Sequence, residues 1–497
     1  MNSILLDAFP RVDKKAMRQT ALMTFLLVLA AHAFCFLNLT FSGASVMFNA
    51  AKGADAQIAS GVYLQPFYWR VRGAVSAPIL VGLLSALFLS LTGAVLSALL
   101  GVKRLPLCVM LAGSLALSPA VLVAFAGSLH TADALFLAML LAVCAAALCL
   151  RIRVGFMPGA LLLAAAQALD PAAFSFFLGV VSVSLIQSLA DGDERGSLCA
   201  LRALGGLLCA LLGGAVYMGG YIQLTHHYGI DPQASLQTGA SLWDTWRYPL
   251  SMLFSPLTLY PHVGKILNGI LLVICAAALL TLVLRLKRKP FRALCVLFLS
   301  LALPLALNLP FFSAEQAPQA AMPFCLLQLL LIILLQEVID VSLESVYPVV
   351  AGMLGISLLG TTIFANQVYL KKALEFDSTL SVMTRVLNRA EAVPGYKPGE
   401  TPTAIIGTLD NSVFSITHDG FETLTVLDTA QNNFAPTSDD GNLWYMWEVM
   451  GYPFNFVSTY ELKQLKLRDD VQAQPAFPAA GCCQLIDGVL VIKLSEE

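Results

Sequence analysis

Apolar runs of membrane-spanning length alternate with short polar turns from residue 20 to residue 366, after which the pattern changes. The runs cover 20–41, 77–101, 105–126, 132–150, 155–169, 172–190, 199–222, 266–284, 292–311, 320–337 and 346–366. A helix needs about 20 mostly apolar residues to cross the hydrocarbon core, so the pattern predicts about eleven transmembrane helices. The run 155–169 is short and ends in Asp170-Pro171. That dipeptide reads as a cap followed by a first-turn proline, which predicts a tight re-entry into the next helix.

From residue 370 a charged helical segment leads through Arg389 to Pro394-Gly-Tyr-Lys-Pro398-Gly, a hinge rich in proline and glycine. Beyond it, Thr403–Gly407, Phe421–Leu427 and Val489–Leu494 read as short strands. Ser458-Thr-Tyr-Glu461 is a capping box that opens a helix. The expected fold is an α-helical polytopic membrane domain over 1–369 and a small C-terminal α/β domain over 370–497. Trp444, Tyr445 and Trp447 fall in the latter, with core packing and contact with a glycan or membrane both open.

Composition agrees with the pattern. Hydrophobic residues make up 58% of the chain and charged ones 12%, and the mean hydropathy is +0.77. Such values lie outside the range of soluble globular chains. A net charge of −2 leaves no basic face to neutralise phosphates along a nucleic acid, so nucleic-acid partners are excluded. Of eleven cysteines, nine lie in or beside apolar runs as small hydrophobes; the exception is the vicinal pair Cys482-Cys483, expected as two free thiols because a disulfide between neighbours is strained. Basic residues precede the first run and Ala31-His32-Ala33 mimics a cleavage site, but the apolar run continues through Phe41, so a retained first helix is expected.

Lys and Arg prefer cytoplasmic loops. Arg11, Lys14, Lys15, Arg18, Lys103, Arg104, Arg151, Arg153, Arg195, Arg202 and the run Arg285 to Arg292 all fall on one side of the alternation, which places the N-terminus in the cytoplasm. The other side holds the long connections 42–76 and 223–265 and the whole C-terminal domain, all expected outside.

Candidate chemistry collects in the outer connections. The first combines Asp55 with Lys52, Arg70 and Arg72 and with Tyr63, Tyr68 and Trp69. Arginine clamps phosphate through paired hydrogen bonds, a carboxylate takes a proton from an attacking hydroxyl, and aromatic rings stack on sugar faces. The plainer alternative is an interfacial anchor in which Asp55 caps or pairs locally. His130 and Asp133 open the fourth helix three residues apart, where Thr131 is expected as its N-cap. Capping explains Asp133 without function, while an ionisable pair at membrane depth is a functional candidate. Arg247 stands between Trp246 and Tyr248 in the second long loop, among residues that also suit an interfacial belt. No His-x-x-x-His spacing supports a zinc site and His226-His227 stand alone, so no resident metal site or other cofactor is expected, and a requirement for a divalent metal stays open. Glu337 and Asp340 fall at the cytoplasmic end of the tenth run and His32 toward the outer half of the first, and the centres of the runs are almost free of charge. That weakens a proton-driven pump.

The run Gly61-Val-Tyr63-Leu-Gln65-Pro66-Phe-Tyr68-Trp-Arg70-Val-Arg72-Gly73, with Pro78 and Gly82-Leu-Leu-Ser85 after it, resembles the first outer loop and second helix of type II glucosyltransferases. These are Gtr-type polytopic enzymes of the GT-C superfamily, typified by bacterial O-antigen glucosyltransferases. His130-x-x-Asp133, Gly159-Ala-Leu-Leu-Leu and Asn366-Gln-Val-Tyr369 carry the likeness further. The resemblance implies a GT-C-like fold in a bacterial plasma membrane. It also implies inverting transfer of a hexose, by default glucose, from a polyprenyl phosphate to a cell-surface glycan on the outer side. Asp55 matches the acidic residue that serves as catalytic base; Arg70, Arg72 and Arg247 would hold the phosphate, and His130, Asp133, Tyr63 and Trp69 would shape the sugar pocket. The rivals are a lipid or polysaccharide flippase, which internal repeats would favour and none is visible, and a noncatalytic assembly partner.

Overall fold

The computed structural model describes residues 13–41, 55–190, 196–230, 241–254, 258, 260–308, 322–339, 344–409 and 439–495. The helices run in order α1 (Lys14–Leu37), α2 (Asp55–Ala59), α3 (Gln65–Arg72), α4 (Pro78–Leu99), α5 (Leu105–Ala116), α6 (Pro119–Gly127), α7 (Leu129–Arg151) and α8 (Phe156–Leu169). They continue with α9 (Ala172–Ala190), α10 (Gly196–Tyr228), α11 (Leu242–Leu253), α12 (Pro261–Arg285), α13 (Pro290–Asn308), α14 (Cys325–Val338) and α15 (Val346–Glu391).

Among the described residues nine helical segments are long and apolar enough to cross a membrane, and the shorter apolar helices Phe156–Leu169 and Met322–Val338 occupy the fifth and tenth expected runs. Large apolar side chains such as Leu211, Val273, Leu280 and Phe298 cover outward faces of α10, α12 and α13, as a lipid-facing surface requires. The chain is a polytopic helical membrane protein.

Local sequence sets the helix starts. The Asp13 carboxylate accepts from the backbone N–H of Lys15 at 2.8 Å to open α1. Proline stands in the first turn of α3, α4, α5, α6 and α12, where its missing N–H costs nothing. The run 105–126 is two helices, because Pro119 forces Ser118 out of the helical region and α6 starts afresh. At the α8–α9 junction Asp170 Oδ1 accepts the Ala172 N–H at 2.8 Å, the expected capped re-entry.

Small residues let the helices approach closely. A Cβ on Gly159 would lie 3.1 Å from the Ala145 carbonyl of α7, and one on Gly213 would lie 3.1 Å from the Ala160 carbonyl of α8. Gly82 on α4 lies flat against the Phe36 ring of α1, and a methyl there would overlap it.

The basic clusters meet at one end of the bundle. Arg104 bonds to Tyr347 and pairs with Glu344 at 3.0 Å, Arg151 donates to the Ala98 carbonyl at 2.5 Å, Arg202 to Ser188 at 2.6 Å and Arg285 to the Glu337 carbonyl at 3.2 Å. The opposite end carries α2, α3 and the α8–α9 junction.

Helix α15 spans 46 residues, about 69 Å at ~1.5 Å per residue, roughly twice the hydrocarbon thickness. Its second half therefore projects beyond the bundle, and the chain passes from the expected first domain into the second, at 369–370, within one continuous helix. Beyond it come β1 (Pro402–Ile406), α16 (Asp439–Trp444), β2 (Asn455–Phe456), α17 (Thr459–Lys466), α18 (Asp469–Gln472), β3 (Cys483–Ile486) and β4 (Val489–Lys493). The sheet order is β2-β1-β4-β3, with β1 parallel to both β2 and β4 and β3 antiparallel to β4. Strands β1 and β4 and the Ser458/Glu461 capping box match expectation. Strands β2 and β3 were not read from the pattern, being two and four residues long, and 421–427 lies outside the described residues. Trp444 and Tyr445 are core residues, and the Tyr445 hydroxyl donates to the Phe376 carbonyl of α15 at 2.6 Å; Trp447 is exposed.

Gly82→Ala is expected to lower the thermal unfolding midpoint in detergent, at a cost of about 1–3 kcal/mol, because it overpacks the α1–α4 contact. Gly214→Ala, where a Cβ meets open space, is the matched control and should leave the midpoint unchanged or raise it.

Candidate functional site at one end of the helix bundle

The first long connection is pinned onto helix ends. Leu64 N–H donates to the Ala168 carbonyl at 2.9 Å and the Gln65 side-chain amide to the Leu169 carbonyl at 2.8 Å, fixing the start of α3 on the α8–α9 junction. Tyr63 stacks on Tyr217 of α10 with centroids 5.8 Å apart, the Tyr217 hydroxyl donates to the Gly61 carbonyl at 3.2 Å, and the Tyr221 hydroxyl to the Ala59 carbonyl at 3.0 Å. Helix α3 ends at Gly73, whose φ of 114° lets the backbone turn away. Arg70 and Arg72 occupy its last turn, where the helix dipole favours cations.

Arg72 reaches inward. Its Nη1 lies 2.6 Å from Asp133 Oδ1 of α7, in an ion pair whose side chains are 1% and 0% exposed. The same guanidinium donates to the His130 carbonyl at 3.1 Å and to the Ser76 hydroxyl at 2.9 Å. Asp133 also accepts the Tyr68 hydroxyl at 2.8 Å and the Ala134 N–H at 3.1 Å. Burial first, then the Asp133 charge, push the Tyr68 phenol well above its ordinary range, so it stays a donor. Trp69 is buried with its ring 6.1 Å from that of His130. Two charges are thus held out of water with most of their hydrogen-bonding capacity met.

Two expectations for this turn are corrected. Thr131 is not the N-cap: α7 begins at Leu129, and the Thr131 hydroxyl donates back to the Ser128 carbonyl at 3.0 Å. Asp133 does not cap the helix, because its oxygens are engaged by Arg72, Tyr68 and the adjoining N–H.

Of the eight candidate residues, the structure brings Arg72, His130, Asp133 and Trp69 together. Asp55, first residue of α2, Arg70 and Arg247 are exposed, and their side chains form no ion pair with described residues. Tyr63 is half-buried against Tyr217. Arg247 follows Trp246 on α11, whose indole N–H donates to the Leu301 carbonyl at 2.7 Å and whose ring lines an apolar cavity of about 250 Å³ with Asn268, Leu271, Ser300, Gln328 and Leu331. Among the described residues no three His, Cys, Asp or Glu side chains cluster as for a metal, and His226 and His227 are exposed at the end of α10. Asp340 lies outside the described residues.

Other polar groups at this end were not singled out from sequence. Lys371, Lys372 and Glu375, on the projecting part of α15, are 4%, 0% and 2% exposed, with Lys371 Nζ 3.5 Å from Glu375 Oε1. The i,i+4 spacing of that pair was visible, but it reads as a solvated helix face until the partners covering it are known. Asp170, the cap of the α8–α9 junction, is a further ionisable group at this end, with its carboxyl buried. Although the residue keeps partial exposure, burial around its carboxyl group pushes it up to about 6 against the opposing pull of the Ala172 N–H.

A family model for glucosyl transferase GtrII matches residues 61–336, more than half of the 497-residue chain. The chain belongs to the GtrII glucosyl transferase family. No curated protein and no solved structure matches it. The GtrII match runs from the turn before α3 into α14 and takes in Tyr63, Trp69, Arg70, Arg72, His130, Asp133 and Arg247, while Asp55 lies just ahead of it. It bears out the Gtr-type resemblance, and a GtrII membrane glucosyltransferase requires a sugar donor and an acceptor.

Arg72→Ala and Asp133→Ala should each destabilise the protein by about 3–5 kcal/mol, since each leaves a buried charge alone, and the pair Arg72→Met with Asp133→Leu should recover much of that loss. Thermal midpoints of the three proteins decide it. Asp170 carries a second expectation. Its folded pKa is raised, so the native state holds the extra proton, and the stability this brings is complete below about 3.8 and lost as pH rises through about 6. Asp170→Asn, which keeps the capping acceptor, should gain on wild type across that window; parallel melting curves from pH 4 to pH 7 would refute the assignment.

Proposed function

We propose that this GtrII-family protein transfers a hexose, glucose by family, from a polyprenyl phosphate to a cell-surface glycan on the outer side of a bacterial plasma membrane, with inversion at the anomeric carbon. The observation that carries the proposal is the buried brace of Arg72, Asp133 and Tyr68, which fixes α3 across the end of α7. A charge pair this costly to bury is a device for holding a helix in one orientation, and its last turn presents Arg70 to solvent at the end where α2 presents Asp55.

In this scheme the Asp55 carboxylate accepts the proton of the acceptor hydroxyl as its oxygen attacks the anomeric carbon. The phosphate leaves from the opposite face, so a single displacement inverts the centre. Arg70 and Arg247 neutralise the leaving phosphate. Arg72, spent on Asp133, serves as a positioning residue, and so do Trp69, on the buried face of α3, and His130 of α7 behind it. Tyr63, half-buried on Tyr217, offers a ring edge to the sugar. The apolar cavity beside Trp246 supports a prenyl chain next to Arg247, since leucine-lined space at that depth takes hydrocarbon without a desolvation penalty. Gathering of the arginines at the other end supports a cytoplasmic N-terminus and an outward site.

The test is transfer of labelled glucose from polyprenyl-phosphate glucose by purified protein in lipid. Asp55→Asn should cut kcat by about 10²-fold or more at unchanged KM for donor, and Arg247→Ala should raise KM for donor. Wild-type turnover by a correctly inserted Asp55→Asn protein would remove the base. In cells lacking the protein, accumulated lipid-linked glucose with an underglycosylated surface is expected; unchanged pools on both counts would refute the proposed donor and acceptor.

A further inference from the structure

The C-terminal domain holds a second chemical constellation, unrelated to glucosyl transfer, where β3 meets the end of α15. Cys482 immediately precedes β3 and Cys483 begins it, with their Sγ atoms 3.8 Å apart. Both are free thiols, as expected from their adjacency. Arg389, in the last turn of α15, donates to Cys482 Sγ at 3.6 Å. The same guanidinium donates to the Pro478 carbonyl and, at 3.0 Å, to the Ala479 carbonyl, and lies 4.9 Å above the Phe477 ring. It is therefore held against the sulfur from several sides. Arg389, Cys482 and Cys483 line an open cleft of about 590 Å³ with Val393, Pro394 and Leu485, large enough for a small peptide-like molecule.

The electrostatics follow from this packing. The hydrogen bond from Cys483, and then the Arg389 charge, hold the Cys482 thiol down to about 6 against the effect of burial. The Cys483 thiol, donating its S–H to that thiolate and desolvated, is pushed up. Cys482 is buried apart from its place on the cleft wall, and Cys483 is half-buried.

Three uses of two adjacent thiols can be compared. A thiophilic metal would find only these two sulfurs among the described residues, and a guanidinium 3.6 Å from one of them repels a cation. A disulfide between the two would need the sulfurs to close from 3.8 Å to about 2.05 Å while Cys483 is held in the ladder opposite Ile492. The third use, attack by a thiolate on an external disulfide, needs a stabilised sulfur anion, a positive neighbour and a space for the disulfide; Arg389 is the positive neighbour that stabilises the anion, and the cleft whose wall includes Cys482 is the space.

We propose that Cys482 is a thiol–disulfide exchange site that takes a low-molecular-weight disulfide in this cleft, with Arg389 as charge partner and Cys483 as hydrogen-bond donor to the attacking sulfur. The Cys482 thiolate attacks one sulfur of R–S–S–R; the Cys482–S–S–R bond forms as the original S–S bond breaks, and the electron pair leaves on RS⁻. RS⁻ leaves into the open cleft and takes its proton from water, while Cys483 stays protonated. The incoming disulfide is the oxidant, so no other electron acceptor is needed.

The test treats the full-length protein in lipid with oxidised glutathione and reads the peptide containing residues 482–483 by mass spectrometry over time. The wild type should gain one glutathionyl group on Cys482, at a rate that reaches half its maximum near pH 6. At pH 6.5, Arg389→Gln and Cys483→Ala should each slow the adduct by about 10-fold, through loss of thiolate. Cys482→Ser should abolish it. Thermal midpoints of the variants separate loss of reactivity from loss of fold, and the wild-type pH profile stands independently of both. An adduct on Cys483 alone, a rate indifferent to Arg389→Gln in a folded protein, or internal oxidation of the pair with no adduct would each overturn the proposal.

Discussion

Burying Arg72 against Asp133 is the constraint on which the arrangement of this end of the bundle depends. Taking both charges out of water costs several kcal/mol each, and the cost is met only because Tyr68, Ser76 and the His130 carbonyl complete the network. A pair so demanding tolerates one geometry. It ties α3, a short helix with little apolar surface of its own, to the first turn of α7. The contacts of Leu64 and Gln65 with the α8–α9 junction tie the other end of α3. The connection that carries the candidate chemistry is thus as firmly placed as the spans beneath it.

A membrane environment makes this economy intelligible. Apolar side chains give little reason for one helix to prefer another when lipid is equally apolar, so specificity falls to close backbone approach and to polar contacts. The glycine contacts among α7, α8 and α10 supply the first. The polar contacts are sorted by end: Arg104, Arg151, Arg202 and Arg285 satisfy carbonyls, hydroxyls and carboxylates at one face. The brace and the tyrosines of α10 act at the other. Between them, His32, bonded to Tyr369 at 2.7 Å, is a buried polar contact that links α1 to α15.

Helix α15 joins the membrane part of the chain to the α/β part. Its apolar half packs with α1, α5 and α12, and its projecting half carries Lys371, Lys372 and Glu375 buried and ends on the Arg389 contacts with the loop before β3. One rigid rod therefore links the two, and anything that alters the Arg389 end acts on a helix that runs back through the bundle.

Much of this was readable from residue order. Runs of about 20 apolar residues dictate helices, because no other structure satisfies the backbone inside hydrocarbon. Asp170-Pro171, the Ser458 capping box and strands β1 and β4 were legible for the same reason: each depends on groups within a few residues of one another. The loop motif from Gly61 to Gly73 likewise pointed to the family on its own. Residue order alone did not decide which arginine stays in solvent and which is buried, since Arg70 and Arg72 are two residues apart on one helix and differ only in what lies across from them. Nor did it reveal that Asp133 would be spent on Arg72, that Lys371 and Glu375 would be buried, or that Arg389 would meet Cys482 from 93 residues away. Those outcomes rest on contacts between segments distant in the chain, whose energies depend on burial and partner geometry that only the assembled helices provide.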